Sequence, residues 1–235
     1  SHNNHGWVQM LGLLCFCRAF PQIRGSRAAE RIALNRILAL AEKLISTDGM
    51  LREHSPTYQA CCTALLRNIR SFFPETTPVL DVLLEKMRSC LTCLVKPDGM
   101  LVPFGSTDPK QDAFSEEEVN QAKLCCEAAP ELTVLQKSGY AVVRICASGT
   151  PREEASYLAL MGAFHSYTHK HCDDLGFVWS EGSQDLLGDS GMQYGYTGML
   201  YAGPLWEKGF YYSAPNRVYA ESAHAHNVVE INGET

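Results

Sequence analysis

Apolar residues recur at three- and four-residue spacing through residues 6–20, 26–46, 57–73 and 77–96. The stretch ERIALNRILALAEKLI shows the pattern most clearly, and because such spacing lines one helix face with apolar side chains, four amphipathic helices are predicted. Turns rich in Pro, Gly and Asp separate them. Two of these turns echo each other: TDGML at 47–51 and PDGML at 97–101 stand 50 residues apart, each after a helical stretch. A repeat of that length suits stacked helical hairpins.

From about residue 132 the period changes. GYAVVRICAS, ASYLALMGAF, LGFVWSEG, SQDLLGDSG and HNVVEING are short, rich in β-branched or aromatic residues and broken by Gly, Pro, Asn and Ser, which predicts an antiparallel β-sandwich. Residues 102–131 read as a linker region, with one short helix at 115–127 whose SEEE opening suits the positive end of a helix dipole. EINGET holds an Asn-Gly hairpin signal with no returning strand, so the sandwich is expected to be incomplete. The expected fold class is α+β and multidomain: a helical unit over 1–130 and a β-sandwich unit over 131–235.

Composition narrows the function. A chain of 235 residues that is 46% hydrophobic can bury a sizeable core. The longest apolar run, GWVQMLGLLCF, is shorter than the roughly 20 residues a bilayer span needs, so neither a membrane span nor a signal peptide is expected. The net charge of −6 argues against general nucleic-acid binding. Ten cysteines include the adjacent pairs Cys61/Cys62 and Cys125/Cys126 inside helical patterns, a poor arrangement for a stapled scaffold, and so they read as reduced thiols of a cytoplasmic protein. Cys90 and Cys93, in LLEKMRSCLTCLV, read as core cysteines in preference to half a zinc knuckle.

The eight histidines are clustered: His2 and His5 in SHNNHG, His54 in REHSPTYQ, His165, His169 and His171 in HSYTHKHCDDLGF, and His224 and His226 in AHAHNVV. If 165–174 runs as a strand, His169 and His171 share a face, and two imidazoles on one face can share a metal. Further ligands could come from Cys172, Asp173, Asp189, His224 or His226, and the downstream His pair turns the reading towards a metal site. Bland readings also exist. Asn3 and Asn4 suit a helix cap, and Tyr58 suits an amphipathic tyrosine at a helix start beside Pro56.

Taken together, the order NNHG, DGMLREHSPTYQ, PFGSTDP, SGYAVVR, HKHCDDLGFVWSEGSQDLLGDSG and AHAHNVVEING resembles the heparinase II/III family of polysaccharide lyases across essentially the whole chain. The resemblance implies an (α/α) toroid segment followed by antiparallel β-sheet, and cleavage of a uronic-acid-containing polysaccharide by β-elimination. In that chemistry a proton leaves C5 beside the uronate carboxylate, and the carbanion-like centre survives only if donors neutralise the carboxylate charge. The resemblance assigns those donors to Asn4 and His5, with Tyr58 and His169 as the pair that takes the C5 proton and protonates the departing O4. It also implies a structural divalent metal, zinc by donor type, held by His171, Asp189 and His226, with His224 as a fallback. A tyrosine of the sandwich is implied too; Tyr211, Tyr212 and Tyr219 are available, with Tyr212 as the representative candidate.

The first helix offers no evident sulfate clamp, which with the negative charge points to a sparsely sulfated or unsulfated acidic polysaccharide. Two rivals stand beside the lyase. HKHCDD approaches the HxHxDH signature of a dinuclear metallo-hydrolase, with Asp174 where that signature has His. A non-catalytic glycan-binding protein of the same fold is the other. A glycoside hydrolase would need two opposed carboxylates, for which Glu53, Asp173 and Asp174 could be drafted without a visible pairing.

Overall fold

The computed structural model of the chain describes residues 3–108, 131–147, 151–166, 168–192 and 215–232. Four helices come first: α1 His5–Ala19, α2 Ser26–Leu44, α3 Pro56–Phe72 and α4 Thr77–Cys93. They match the four apolar stripes. α1 packs on α2 and α3 on α4, and the stripes meet in one core that includes Trp7, Leu14, Ile37, Leu66, Ile69 and Met87. Trp7 is fully buried and donates its indole N–H to Ile37 O at 3.1 Å, so a large apolar side chain locks α1 to α2 without leaving a polar atom unpaired.

The 50-residue echo is a structural repeat. After α2, Ile45 bridges Leu51, and after α4, Val95 bridges Leu101. The hydrogen bonds repeat as well: Ser46 N to Met50 O and Lys96 N to Met100 O are both 2.8 Å, while Arg52 N to Leu44 O and Val102 N to Leu94 O are 2.8 and 2.9 Å. Gly49 turns the first of these at φ +96°, where a Cβ would meet the Lys86 backbone at 2.6 Å.

Both turns dock the helices onto a sheet. Its strands are β1 Glu131–Leu135, β2 Tyr140–Ile145, β3 Ser156–Met161, β4 Gly176–Glu181 and β5 Gln184–Leu187, paired antiparallel in chain order. Asp48 of the first turn accepts from Lys137 N at 2.9 Å and Ser138 N at 3.2 Å, in the β1–β2 turn. Lys96 of the second turn reaches Asp185 of β5 at 2.7 Å. Arg144 of β2 donates to the carbonyls of Thr92, Cys93 and Val95 at 2.9, 2.9 and 2.5 Å, placing a cation at the C-terminal end of α4, where Tyr157 Oη also donates to Cys93 O at 2.8 Å. Alternation puts Tyr140, Val142, Tyr157, Ala159 and Val178 on the inner face, against Met50, Leu94, Val102 and Phe104.

Several expectations change. The 102–131 linker begins inside the core, with Val102 and Phe104 fully buried, and residues 131–135 are the paired strand β1. HNVVEING is no regular strand, since residues 226–230 carry none and Ile231 is a single bridge residue. The sheet is one antiparallel layer among the described residues. The expected helix at 115–127 lies outside them. Cys90 is buried and donates to Asp48 O, and Cys93 packs partly buried against the same core, as expected of core cysteines. Among the described residues no helix is long and apolar enough to cross a membrane.

Candidate active site at the helix–sheet junction

The segments that follow the two echoed turns meet each other. Ser55 caps α3, accepting from Tyr58 N, donates to Ser106 O at 2.8 Å and lies 3.0 Å from Thr107 Oγ1. Pro56 follows at the first helical position, where its missing N–H costs nothing. Tyr58 is thereby fixed in the first turn of α3. Gly105, at φ +54°, sits where a Cβ would come within 2.5 Å of His54 O and 2.6 Å of His169 O, so only glycine lets these backbones close together. Ser106 N then donates to His169 O at 2.9 Å.

The described residues of 165–174 do not form the expected strand. His169 has φ +58°, a left-handed conformation uncommon for a non-glycine residue and a frequent mark of a site under functional constraint. The physical reason lies in Asp173, fully buried, whose carboxylate pairs with Lys170 three residues earlier and accepts from Gly105 N at 2.7 Å, folding the segment back on itself. His169 and His171 therefore do not share a strand face. The same contacts hold Asp173, the carboxylate the metallo-hydrolase reading would use, against Lys170 and the Gly105 N–H.

His169 instead stacks on Tyr58, with ring centroids 3.5 Å apart and planes at 19°. Its Nε2 lies 3.6 Å from Glu53 Oε2, and Glu53 Oε1 accepts from Asn4 N at 3.3 Å. Glu53 is only 2% exposed and its Oε2 has no hydrogen-bond partner. Asn4 occupies the N-cap position of α1, yet its side chain makes no cap hydrogen bond and its Oδ1 is buried without a partner. The capping explanation of Asn4 therefore fails. His5, exposed at the start of α1, is close enough to act electrostatically on Glu53 and His169.

A second cluster lies behind the first. His54, fully buried at φ +58°, accepts at Nε2 from His165 N at 2.8 Å and Ser166 N at 3.3 Å, which hangs the loop that carries His169 on one imidazole. His171 is buried with Nε2 3.2 Å from Ser106 Oγ, and its ring tilts against that of His226 at 5.2 Å. His226 Nδ1 donates to Asp189 at 2.9 and 3.0 Å, and both side chains are wholly buried. Two ring nitrogens, His171 Nδ1 and His226 Nε2, are buried without partners. A carboxylate-oriented histidine beside another orphaned imidazole fits the donor set of a divalent ion, although no three such side chains among the described residues are gathered about one point.

Burial governs the electrostatics. It lowers the pKa of His169 to about 4, helped by the charges of Arg217 and His5, and that of His171 to about 3, helped by His226, Lys170 and Arg217. His54 is lowered to about 3 by burial, Lys170 and His165. Burial alone would push His226 down, but the Asp189 carboxylate pushes it above its ordinary value. Glu53 is raised by burial against the opposing pull of the Asn4 N–H and His5. The imidazole of His169 is thus held neutral, able to accept a proton.

Asn4, Tyr58 and His169, from three distant segments, meet around Glu53 with His5 at the edge, while His226 contacts both Asp189 and the ring of His171. Tyr212 and Tyr211 lie outside the described residues. Tyr219 is exposed, its hydroxyl donating to His224 O at 3.4 Å. His224 is 70% exposed beside Glu230 at 3.4 Å, away from the metal candidates. Two residues were not legible as site members. Glu53 was visible only as a carboxylate in the EHSPTY segment, and Arg217, on the short helix α5 Pro215–Glu221, is held by Glu221 at 2.6 Å with its charge felt by His169 and His171.

Residues 127–235 match the family model described as Heparinase II/III-like, C-terminal. Among solved structures, a heparinase III superimposes with a TM-score of 0.74 and 13% identity over 99% of this chain and 39% of its own. A second heparinase III, a gene product designated BT4657, gives 0.72 and 16% over 99% and 38%. Heparan sulfate lyase HepC from Pedobacter heparinus gives 0.68 and 14% over 96% and 36%. No curated protein sequence matches the chain. The chain spans about two fifths of the length of these structures, and at such identities the likeness establishes the fold.

Proposed function

We propose that this chain, whose residues 127–235 match the heparinase II/III-like C-terminal family model, serves the β-elimination of a uronic-acid-containing polysaccharide, with its four helices forming a segment of an (α/α) toroid. The observation that carries the reading is the stack of Tyr58 on His169, at 3.5 Å between centroids, beside Asn4 and the buried Glu53. Neutral His169 accepts the C5 proton. The C4–O4 bond breaks as the C4=C5 double bond forms, and the Tyr58 hydroxyl gives its proton to O4. Asn4 and His5 donate to the uronate carboxylate, where charge accumulates in the transition state.

A divalent ion, zinc by donor type, would be held by His171, Asp189 and His226, and when bound it would supply positive charge that organises the base of the cleft. All other steps belong to the chain's own side chains. An acidic, sparsely sulfated or unsulfated polysaccharide is the substrate class in keeping with the net charge of −6.

The test is a panel of uronic-acid polysaccharides read by ultraviolet absorbance. New unsaturated uronide ends absorb and support the lyase. New reducing ends without absorbance would establish hydrolysis instead, and binding without any new ends would establish the non-catalytic reading.

A further inference from the structure

Glu53 stands between two parts of the proposed machinery. One carboxylate oxygen takes the backbone N–H of Asn4 at 3.3 Å, and the other, unpartnered, faces Nε2 of His169 at 3.6 Å. At 2% exposure no bulk water competes for that oxygen. A separation slightly beyond a hydrogen bond is common at a catalytic pair before substrate closes the site. We infer that Glu53 is a positioning residue that accepts a hydrogen bond from Nε2–H of His169, fixing the tautomer whose free lone pair is on Nδ1 and tying that ring to the Asn4 end of α1.

The consequence for catalysis rests on the lyase reading. A neutral imidazole carries one N–H, and the partner of that N–H decides which nitrogen is left as the base. With Nε2–H on Glu53, Nδ1 accepts the C5 proton, and the imidazolium that forms lies beside a carboxylate. That is the role a buried carboxylate plays behind any histidine base: it orients the ring and stabilises the charged form without itself taking the proton. The stack on Tyr58 fixes the plane of the ring, and Glu53 fixes which edge points where.

Glu53→Gln is an informative substitution because Asn4 dictates how the new amide sits. The Asn4 N–H requires an acceptor, so the amide oxygen faces Asn4 and the NH₂ faces His169. A donor there forces Nε2 to accept, and the proton moves to Nδ1. In the protein labelled with 15N at histidine, the ring nitrogens of His169 should report Nε2–H in the wild type and Nδ1–H in Glu53→Gln. The wild-type spectrum alone is decisive if the variant does not fold: Nδ1–H there overturns the inference. An unchanged tautomer in a folded Glu53→Gln overturns it too. In turnover, kcat of Glu53→Gln should fall by about 10²–10⁴ with KM held, the scale of losing the correct tautomer of a histidine base. Unchanged kcat with a flipped tautomer would overturn the catalytic consequence. A wild type that forms no unsaturated ends on any uronate polymer would sink the lyase reading, whereas the spectra would still decide the hydrogen bond.

Discussion

Tyr58 and His169 are brought ring to ring, 3.5 Å between centroids, by two unrelated devices. Tyr58 is set by the Ser55 cap and Pro56 at the start of α3, and His169 by a positive-φ turn closed over Gly105. Because the stack is made by ring faces, the Tyr58 hydroxyl contributes nothing to it. Tyr58→Phe therefore keeps both rings stacked and should fold while losing elimination activity. Turnover near the wild-type rate would exclude Tyr58 as the acid.

Asn4 makes no cap hydrogen bond, so its side chain is available to substrate. Asn4→Ala should lower kcat by about 10²–10³, the cost of removing one donor from a developing oxyanion, without lowering the melting temperature. A rise in KM alone, at constant kcat, would make Asn4 a binding residue only.

His169 and His171 should fail differently. His171→Ala removes one of the two orphaned ring nitrogens of the His171–His226 pair, and elemental analysis should find its divalent metal lost and its melting temperature lowered. His169→Ala should keep metal and melting temperature while losing turnover. Equal metal content in His171→Ala and the wild type would remove His171 from the ligand set.

Arg144 tests the docking of helices on sheet. It is 6% exposed, bonds three carbonyls at the end of α4 and lies over the Tyr157 ring at 5.1 Å. Arg144→Met keeps much of the volume but removes the cation and its three hydrogen bonds, leaving Cys93 O to the Tyr157 hydroxyl alone, and urea unfolding should show a loss of about 2–4 kcal/mol. A loss confined to a few tenths of a kcal/mol would mean that water satisfies them.

Asp48 gives the junction a pH dependence. Burial would raise its pKa, but hydrogen bonds from Ser138, Ser46 and Lys137 N outweigh it and hold the carboxyl below its ordinary 3.8. A depressed carboxyl contributes stability that is fully present above its unfolded value of 3.8 and is lost as pH falls below that through the lower folded value. Asp48→Asn should be less stable than the wild type at neutral pH, with the two unfolding curves converging in acid. A gap that stays unchanged as the pH is lowered through the acid transition would assign the effect to packing.

The sequence by itself determined whatever repeats locally. Apolar stripes at helical spacing gave α1 to α4, because burying one face of a helix needs only its own periodicity. Short β-branched and aromatic runs between turn residues marked β2 to β5, since that composition suits a pleated surface wherever it pairs. The 50-residue echo marked two equivalent turns, and the order of short motifs pointed to Asn4, Tyr58 and His169 before any of them could be seen together. Tertiary structure alone decided the rest. Whether residues 165–174 extend or fold back depends on Asp173 reaching Gly105, an attraction across 68 positions that no local pattern encodes. ELTVL becomes a strand because β2 is there to pair with it, and Val102 and Phe104 enter the core because the second turn docks on the sheet. Glu53 reads as one more charged residue in a loop. It becomes a buried carboxylate between Asn4 and His169 only when three segments close around it, since burial and partnership are properties of the assembled neighbours and not of the residue.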